Sequence, residues 1–338
     1  MPMSILVFAD ARVTEHRPPQ GHPERPERFL AAVGGVESAG IGDAIEWREP
    51  TLASAESLLG IHDRSHVDQI FAVGDDEHVR IDADTHMSTG SLTAARLAAG
   101  AGLDAIDALR ADEADNAFCL MRPPGHHATP TQAMGFCLFN NIAVAAQAIT
   151  EAGEKVAIVD FDAHHGNGTQ DAFFDRNDVL FISTHEYPQY PGTGALKERG
   201  RGEGAGYTIN LPMPSGATGD VYLRAFDEVI EPALAAFAPD WILISAGFDA
   251  HRADPLTNLG LTSGDYALLT SRLMAHAPTG RRIAFLEGGY DLDALRKSTA
   301  ACVASMVGET VDVEPSSNGG PGHHVIDAAL QLDSITPT

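Results

Sequence analysis

Short apolar runs rich in β-branched and aromatic residues alternate along the chain with longer Ala/Leu-rich amphipathic stretches. The short runs predict strands at Ser4–Ala9, Ala117–Met121, Lys155–Val159, Val179–Ser183, Trp241–Ser245 and Arg282–Leu286. The longer stretches predict helices at Pro26–Ser38, Ser91–Arg110, Asn141–Ala152, Asp220–Ala238, Ser263–Ala277 and Leu292–Val307. Strand alternating with helix is the signature of an α/β fold, a parallel sheet joined by crossover helices. The Pro- and Gly-rich segments Arg122–Gly135, Pro188–Gly206 and Leu211–Gly219 read as loops. No internal repeat and no long linker interrupts the alternation, so one domain over residues 1–308 is expected. A polar, Gly-rich surface tail over residues 309–338, with a short amphipathic piece at Val325–Leu332, follows it.

Composition narrows the class. At about 150 residues per domain, 338 residues could make two, yet α/β sheets covered on both faces often reach this size as one. With 44% hydrophobic and 20% charged residues the chain reads as globular, which excludes disordered, collagen-like and coiled-coil classes. No apolar run approaches the ~20 residues that span a bilayer, and the start MPMSILVFADAR lacks a basic segment followed by an apolar one. The expectation is a cytoplasmic protein, neither inserted in a membrane nor exported. The net charge of −25 repels phosphate backbones and anionic lipid, which argues against direct nucleic-acid binding. An acidic surface suits cationic substrates, but it also simply keeps a protein soluble. Cys119, Cys137 and Cys302 are too few and too scattered for a disulfide framework, and fit reduced, buried thiols.

The chemistry is concentrated where the predicted strands end. In open parallel sheets the loops leaving the carboxyl ends of the strands converge on the ligand site. AFCLM is followed by RPPGHHA with the tandem His126–His127, and VAIVDFD runs into AHHGNG with Asp160, Asp162, His164, His165 and Asn167. WILISAG ends in FDAHRADP, carrying Asp249, His251 and Asp254, and RRIAFLEGG ends at Tyr290. Any one of these alone is most often a loop cap; four strand ends out of six carrying such residues beside glycine is a different matter.

Asp160 and Asp162 share one side of an extended strand, and two carboxylates in an apolar site repel unless a cation neutralises them. Asp162 and His164 share that parity, so the D-x-H pair can aim an oxygen and a nitrogen at one metal. A four-coordinate zinc site needs a third protein ligand and an open position for water, and Asp249 can supply the ligand. Two carboxylates and one imidazole leave Zn²⁺ almost without net charge, a weaker Lewis acid than a three-His site. Water then needs a neighbouring general base, and the developing oxyanion a second donor. The tandem histidines and Tyr290 have the chemistry for those tasks, and Gly288 and Gly289 would let the tyrosine backbone approach the metal closely.

The motifs RPPGHHA, MGFCLFNN, VDFDAHHGNGTQDAFF, SAGFDAHRADPL and LEGGY resemble the class II branch of the histone deacetylases and their bacterial relatives, the histone deacetylase-like and acetylpolyamine amidohydrolases. The resemblance runs from about Gly21 (GHPERPERF) to about Gly308 with every motif in order. It implies an arginase/deacetylase-like domain, a central, mostly parallel sheet of about eight strands with helices on both faces. It implies Asp162, His164 and Asp249 as zinc ligands, the same three that the spacing selects. By the same likeness His127 is the general base and acid, His126 its electrostatic partner, Asp160 orients His126, Asn167 faces His127, and Tyr290 donates to the carbonyl oxygen. Asn167, where class I members carry Asp, points to class II.

Gly135, Phe136 and Tyr190 would line the channel for the acyl-bearing chain, with Leu256 at its rim and Arg28 in an acetate-exit pocket. A structural potassium is implied through Asp160, Asp162, carbonyls near His164, and Ser183–Thr184. His165, His251 and Asp254 read as structural support, and His323–His324 in the tail as non-catalytic. The implied activity is zinc-dependent removal of acetyl or other acyl groups from lysine in peptides or proteins. Acetylated polyamines are the alternative substrate, against which the apolar Leu256 tilts, although Asp84 and Ser88–Ser91 could contact a cation. A homodimer or homotetramer is expected from bacterial relatives. A binuclear manganese ureohydrolase would need Asp where Gly166 and His251 stand, and a silent acyl-lysine-binding module would show broken catalytic positions, which this chain does not.

Overall fold

The computed structural model describes residues 3–74 and 78–332; the last six residues of the predicted tail lie outside the described residues. Among the described residues ten strands occur in chain order: β1 (Ile5–Phe8), β2 (Ile45–Arg48), β3 (Val79–Arg80), β4 (His86–Met87), β5 (Asn116–Cys119), β6 (Val156–Asp160), β7 (Val179–Glu186), β8 (Thr208–Met213), β9 (Trp241–Ala246) and β10 (Arg282–Leu286). Eight of them form one sheet in the order β2-β1-β5-β10-β9-β6-β7-β8, and every neighbouring pair is parallel. The remaining two, β3 and β4, make a small antiparallel hairpin.

Every residue of β1, β5, β6, β7, β9 and β10 is buried, which requires cover on both faces and explains why these strands read as continuous apolar runs. Helices supply that cover: Glu27–Ser38 packs on Leu292–Met306, which packs on Ser263–Leu273, while Ser91–Arg110 packs on Asn141–Thr150. These are five of the six predicted helices. The sixth, expected as one helix over Asp220–Ala238, is broken by a π-turn at Phe226–Ile230 between Gly219–Ala225 and Glu231–Phe237, just before Pro232, which has no N–H to continue the ladder.

Two sheet strands escape the pattern reading, and both lie at the edges. β2 is only half-buried, so its IEWR carries charge and shows no continuous apolar run. β8 corrects the expectation of a loop from Leu211, since Leu211–Met213 pair with β7; Pro212 is tolerated because an edge strand has one unpaired side. Beyond residue 308 the chain does not hang free. Glu314 pairs with His251 and Arg252, and Ser317 donates to the buried Asp265 carboxylate. Helix His323–Leu330 buries Val325, Ile326 and Ala329 against β8 and its neighbours.

The sheet order has one consequence for the site. β5, β10, β9 and β6 are consecutive, so the loops leaving their carboxyl ends open onto one another.

Candidate active site

The loop after β6 carries Asp162 and His164, and the loop after β9 carries Asp249. His164 Nδ1 stands 3.2 Å from Asp162 Oδ1 and 3.0 Å from Asp249 Oδ2, and one ligand atom from each of the three lies within 4.8 Å of the others. Backbone groups aim the carboxylates: the Ala163 N–H donates to Asp249 Oδ1 at 2.7 Å, and the Gly288 N–H to Asp162 Oδ2 at 2.7 Å. Gly288 has to be glycine, because a Cβ there would lie 2.1 Å from Asp249 Oδ2 and 2.6 Å from Asp162 Oδ2. Burial disfavours a charged His164, yet Asp249 and Asp162 together drive its pKa well above the ordinary value. The cluster therefore demands positive charge, and its oxygen and nitrogen donors fit a divalent metal ion. It is the sole cluster of this kind among the described residues.

The loop after β5 brings the tandem histidines alongside, their ring centroids 4.1 Å apart. The two differ in what holds Nδ1. His126 Nδ1 is 2.9 Å from Asp160 Oδ2, whereas His127 Nδ1 donates to the neutral Asn167 Oδ1 at 2.8 Å, which leaves the His127 Nε2 lone pair free. Burial pushes both pKa values down; for His126 the carboxylates of Asp162 and Asp160 reverse this and lift it to about 10. For His127 burial acts together with the positive charge of His126 and His164, and the pKa falls well below the usual range. Two adjacent imidazoles are thus divided into a cation and a neutral base.

Tyr290 closes the site from the loop after β10. Its N–H donates to Asp254 Oδ2 at 2.7 Å, and the buried Arg28 guanidinium lies 4.7 Å from its ring centroid. Arg28 donates to the Gly289 carbonyl at 2.6 Å and to the Glu287 carbonyl at 2.5 Å, gripping the backbone on both sides of Gly288. Burial raises the phenol's pKa well above 10 against the pull of Arg28, so Tyr290 is a proton donor at neutral pH. A channel of about 200 Å³ leads in, lined by Gly135, Phe136, Tyr190, Leu256 and Tyr290, with His127 and His164 also in its wall. Asp84 and Gln189 also line it. The Tyr190 ring stands edge-on to His127 at 5.2 Å, and Phe136 edge-on to Tyr290 at 5.8 Å. Arg28 is not among the lining residues; it lies behind Tyr290.

Ser183 is beside Asp160 in the β6–β7 register, and the Thr184 hydroxyl donates to the Asp160 carbonyl at 3.4 Å, so the residues implied for potassium are neighbours. His165 bonds Thr193 and Gln170, and His251 bonds Glu314. His323 and His324 start the C-terminal helix, with His323 Nε2 3.7 Å from Asp220.

Four supporting residues were not picked out by sequence reasoning. Glu287 accepts from the Gly125 and His126 N–H groups at 2.6 and 3.1 Å, holding the histidine loop to the Tyr290 loop; burial lifts its pKa to about 7. Glu24 accepts from Arg122 at 2.7 Å and Arg28 at 3.2 Å. Gln189 reaches from the Tyr190 loop to the Leu256 carbonyl at 3.3 Å, and Arg122 ties Glu24 to the Val13 and His16 carbonyls. Glu24 and Arg28 are four residues apart, which is the sole local signal; the other contacts span long sequence separations.

A parallel sheet whose central loops deliver carboxylates, imidazoles and a phenol to the end of a narrow channel has the plan of a hydrolase. Residues 22–306 match the histone deacetylase domain, and the chain belongs to that family. It is 42% identical over 310 residues to a probable deacetylase of Archaeoglobus fulgidus, covering 90% of this chain and 86% of that one. It is 38% identical over 276 residues to the histone deacetylase-like amidohydrolase of Pseudomonas aeruginosa, covering 80% and 73%. The crystal structure of the HDA15 HD domain superposes with a TM-score of 0.90 at 37% identity, covering 97% of this chain and 93% of that one. No helix among the described residues is long and apolar enough to cross a membrane.

Proposed function

We propose that the chain is a mononuclear zinc deacylase of the cytoplasm that removes acetyl or other acyl groups from the side-chain amine of lysine in peptides or proteins. One observation carries the reading: Asp162, His164 and Asp249 converge within 4.8 Å at the end of a channel that His127 and Tyr290 also line. Two carboxylates and an imidazole, with the channel side left open, are the donor set of a catalytic zinc. Bound there, zinc would polarise the acyl carbonyl and lower the pKa of water.

The protein's own groups do the rest. His127, kept neutral, accepts a proton from the attacking water at Nε2 and returns one to the leaving amine as the C–N bond breaks, giving a free amine and a carboxylate. Asn167 holds the tautomer that makes Nε2 the acceptor. His126, charged against Asp160, places positive potential beside the developing oxyanion, and the Tyr290 hydroxyl donates to it. Phe136 and Tyr190 would flank the alkyl chain and exclude water. A structural potassium at Asp160, Asp162, Ser183 and Thr184 belongs to the same proposal, supported by the Thr184 to Asp160 contact.

A fluorogenic acetyl-lysine peptide assay together with metal analysis tests the reading. The expected result is about one zinc per chain and turnover abolished by a hydroxamate. Two manganese ions per chain, or no turnover by the zinc-loaded protein, would overturn it. A second reading, acetylpolyamine deacetylation, is favoured by the Asp84 carboxylate in the channel lining; kcat/KM for N-acetylputrescine beside the peptide separates the two.

A further inference from the structure

Outside the channel, and sharing Leu256 and Tyr290 with it, lies a surface groove of about 1020 Å³. Its far wall is the segment from Ala11 to Leu30, stiffened by four prolines between residues 18 and 26. Two exposed arginines, Arg17 and Arg25, line this groove. Elsewhere on the surface arginines such as Arg12, Arg201 and Arg224 lie against carboxylates. Among the described residues Arg17 and Arg25 do not: the Arg17 guanidinium makes one hydrogen bond, to the Thr14 carbonyl at 3.4 Å, and no carboxylate pairs with either arginine. On a chain of net charge −25, two guanidiniums with no carboxylate partner among the described residues, both lining one cavity, are a local reversal of sign. Glu27 is the one carboxylate among the groove's lining residues, and Asp84 stands in the channel lining instead.

We infer that this groove receives the polypeptide flanking the acyl-lysine, and that Arg17 and Arg25 select substrates with an acidic residue on that flank. The inference rests on the deacylase reading for the identity of the channel's occupant and adds the sequence context of that occupant. A peptide whose acyl-lysine fills the channel has to leave past Leu256, which is where the groove begins. An Asp or Glu there meets positive potential at a range shorter than the Debye length of about 8 Å at physiological salt, so the distant acidic surface is screened while the two arginines are not. The same charges repel the second amine of a polyamine. A rigid wall needs little ordering on binding, which favours recognition of an extended segment.

The test is a set of acetyl-lysine peptides carrying Glu, Gln or Lys at each flanking position, with kcat/KM measured on wild type and on the double variant Arg17→Gln/Arg25→Gln. Exposed charge pairs contribute modestly, so the wild type should favour Glu over Lys on one flank by roughly tenfold, falling toward twofold in 0.5 M salt. The double variant should bring the Glu-to-Lys ratio close to one. Arg201→Gln/Arg224→Gln, an equal loss of charge at two arginines outside the groove, should leave that ratio as in wild type. No flank preference in wild type, or a preference that survives in the double variant, overturns the inference. Fluorescence anisotropy of labelled peptides gives the same ranking without turnover. Binding selectivity lost in the double variant, with no hydrolysis of any peptide, would keep this inference and remove the deacylase reading.

Discussion

Alanine at position 135 would put a methyl carbon 2.4 Å from His127 Cδ2, 2.7 Å from its Cγ and 2.9 Å from its Cβ. Carbon atoms in ordinary contact stand about 3.5–4.0 Å apart, so the imidazole must retreat by roughly 1 Å. That retreat pulls against the Asn167 hydrogen bond at 2.8 Å and the His126 ring at 4.1 Å, the two contacts that make His127 a neutral, correctly turned base. A misplacement of about 1 Å in a reacting group costs on the order of 10²-fold in rate. Gly135 also has φ +55°, where a non-glycine residue costs about 1–2 kcal/mol. Gly153→Ala separates the two effects, because Gly153 has φ +82° and nothing within 4 Å of its Cβ position. Urea unfolding should show Gly153→Ala losing about 1–2 kcal/mol and Gly135→Ala losing more, by the cost of the methyl crowded against His127. In the acetyl-lysine peptide assay Gly135→Ala alone should lose about 10²-fold in kcat/KM. A Gly135→Ala enzyme within a few-fold of wild type would refute the claim that the ring's placement limits the rate.

Tyr290→Phe removes one oxyanion donor and should lower kcat by on the order of 10²–10³ with zinc content unchanged by metal analysis; near-normal turnover would take Tyr290 out of the mechanism. Asn167→Asp replaces a neutral partner of His127 with a charged one, which stabilises the imidazolium and raises its pKa. Because the neutral ring is the active form, and its pKa in the native protein lies below 6.5, the acid limb of kcat/KM should move to higher pH; a limb that stays in place excludes His127 as the base. Glu24→Gln removes the buried carboxylate that holds Arg28 and Arg122, and should cost about 3–5 kcal/mol in denaturant unfolding. It should also lower turnover, since Arg28 holds the Tyr290 loop.

The metal cluster was partly legible in the chain because two of its members are neighbours. Asp162 and His164 are two residues apart just past the end of β6, so a common direction could be read from a two-residue period, and in the folded chain the His164 N–H turns back to donate to Asp162 Oδ1 at 2.8 Å. Asp249 could be nominated by its place at a strand end, but its 3.0 Å approach to His164 exists because β9 lies beside β6. The buried strands were legible for a similar reason: a strand covered on both faces must be apolar at nearly every position, and that is visible within five residues. β2 and β8 were not, because an edge strand is partly wet and need carry no such run.

What the chain's pattern settles is local: which segments can be strands or helices, and which neighbouring side chains point the same way, since backbone geometry alone dictates both. Which loops meet, that Glu287 bridges the histidine and tyrosine loops, that Asn167 and Asp160 give two adjacent imidazoles opposite charge states, and that Arg17 and Arg25 share a groove with Leu256, were decided only when the eight strands took their order. Strand order is set by burying the whole apolar surface at once, a sum over the entire core that no window of sequence contains.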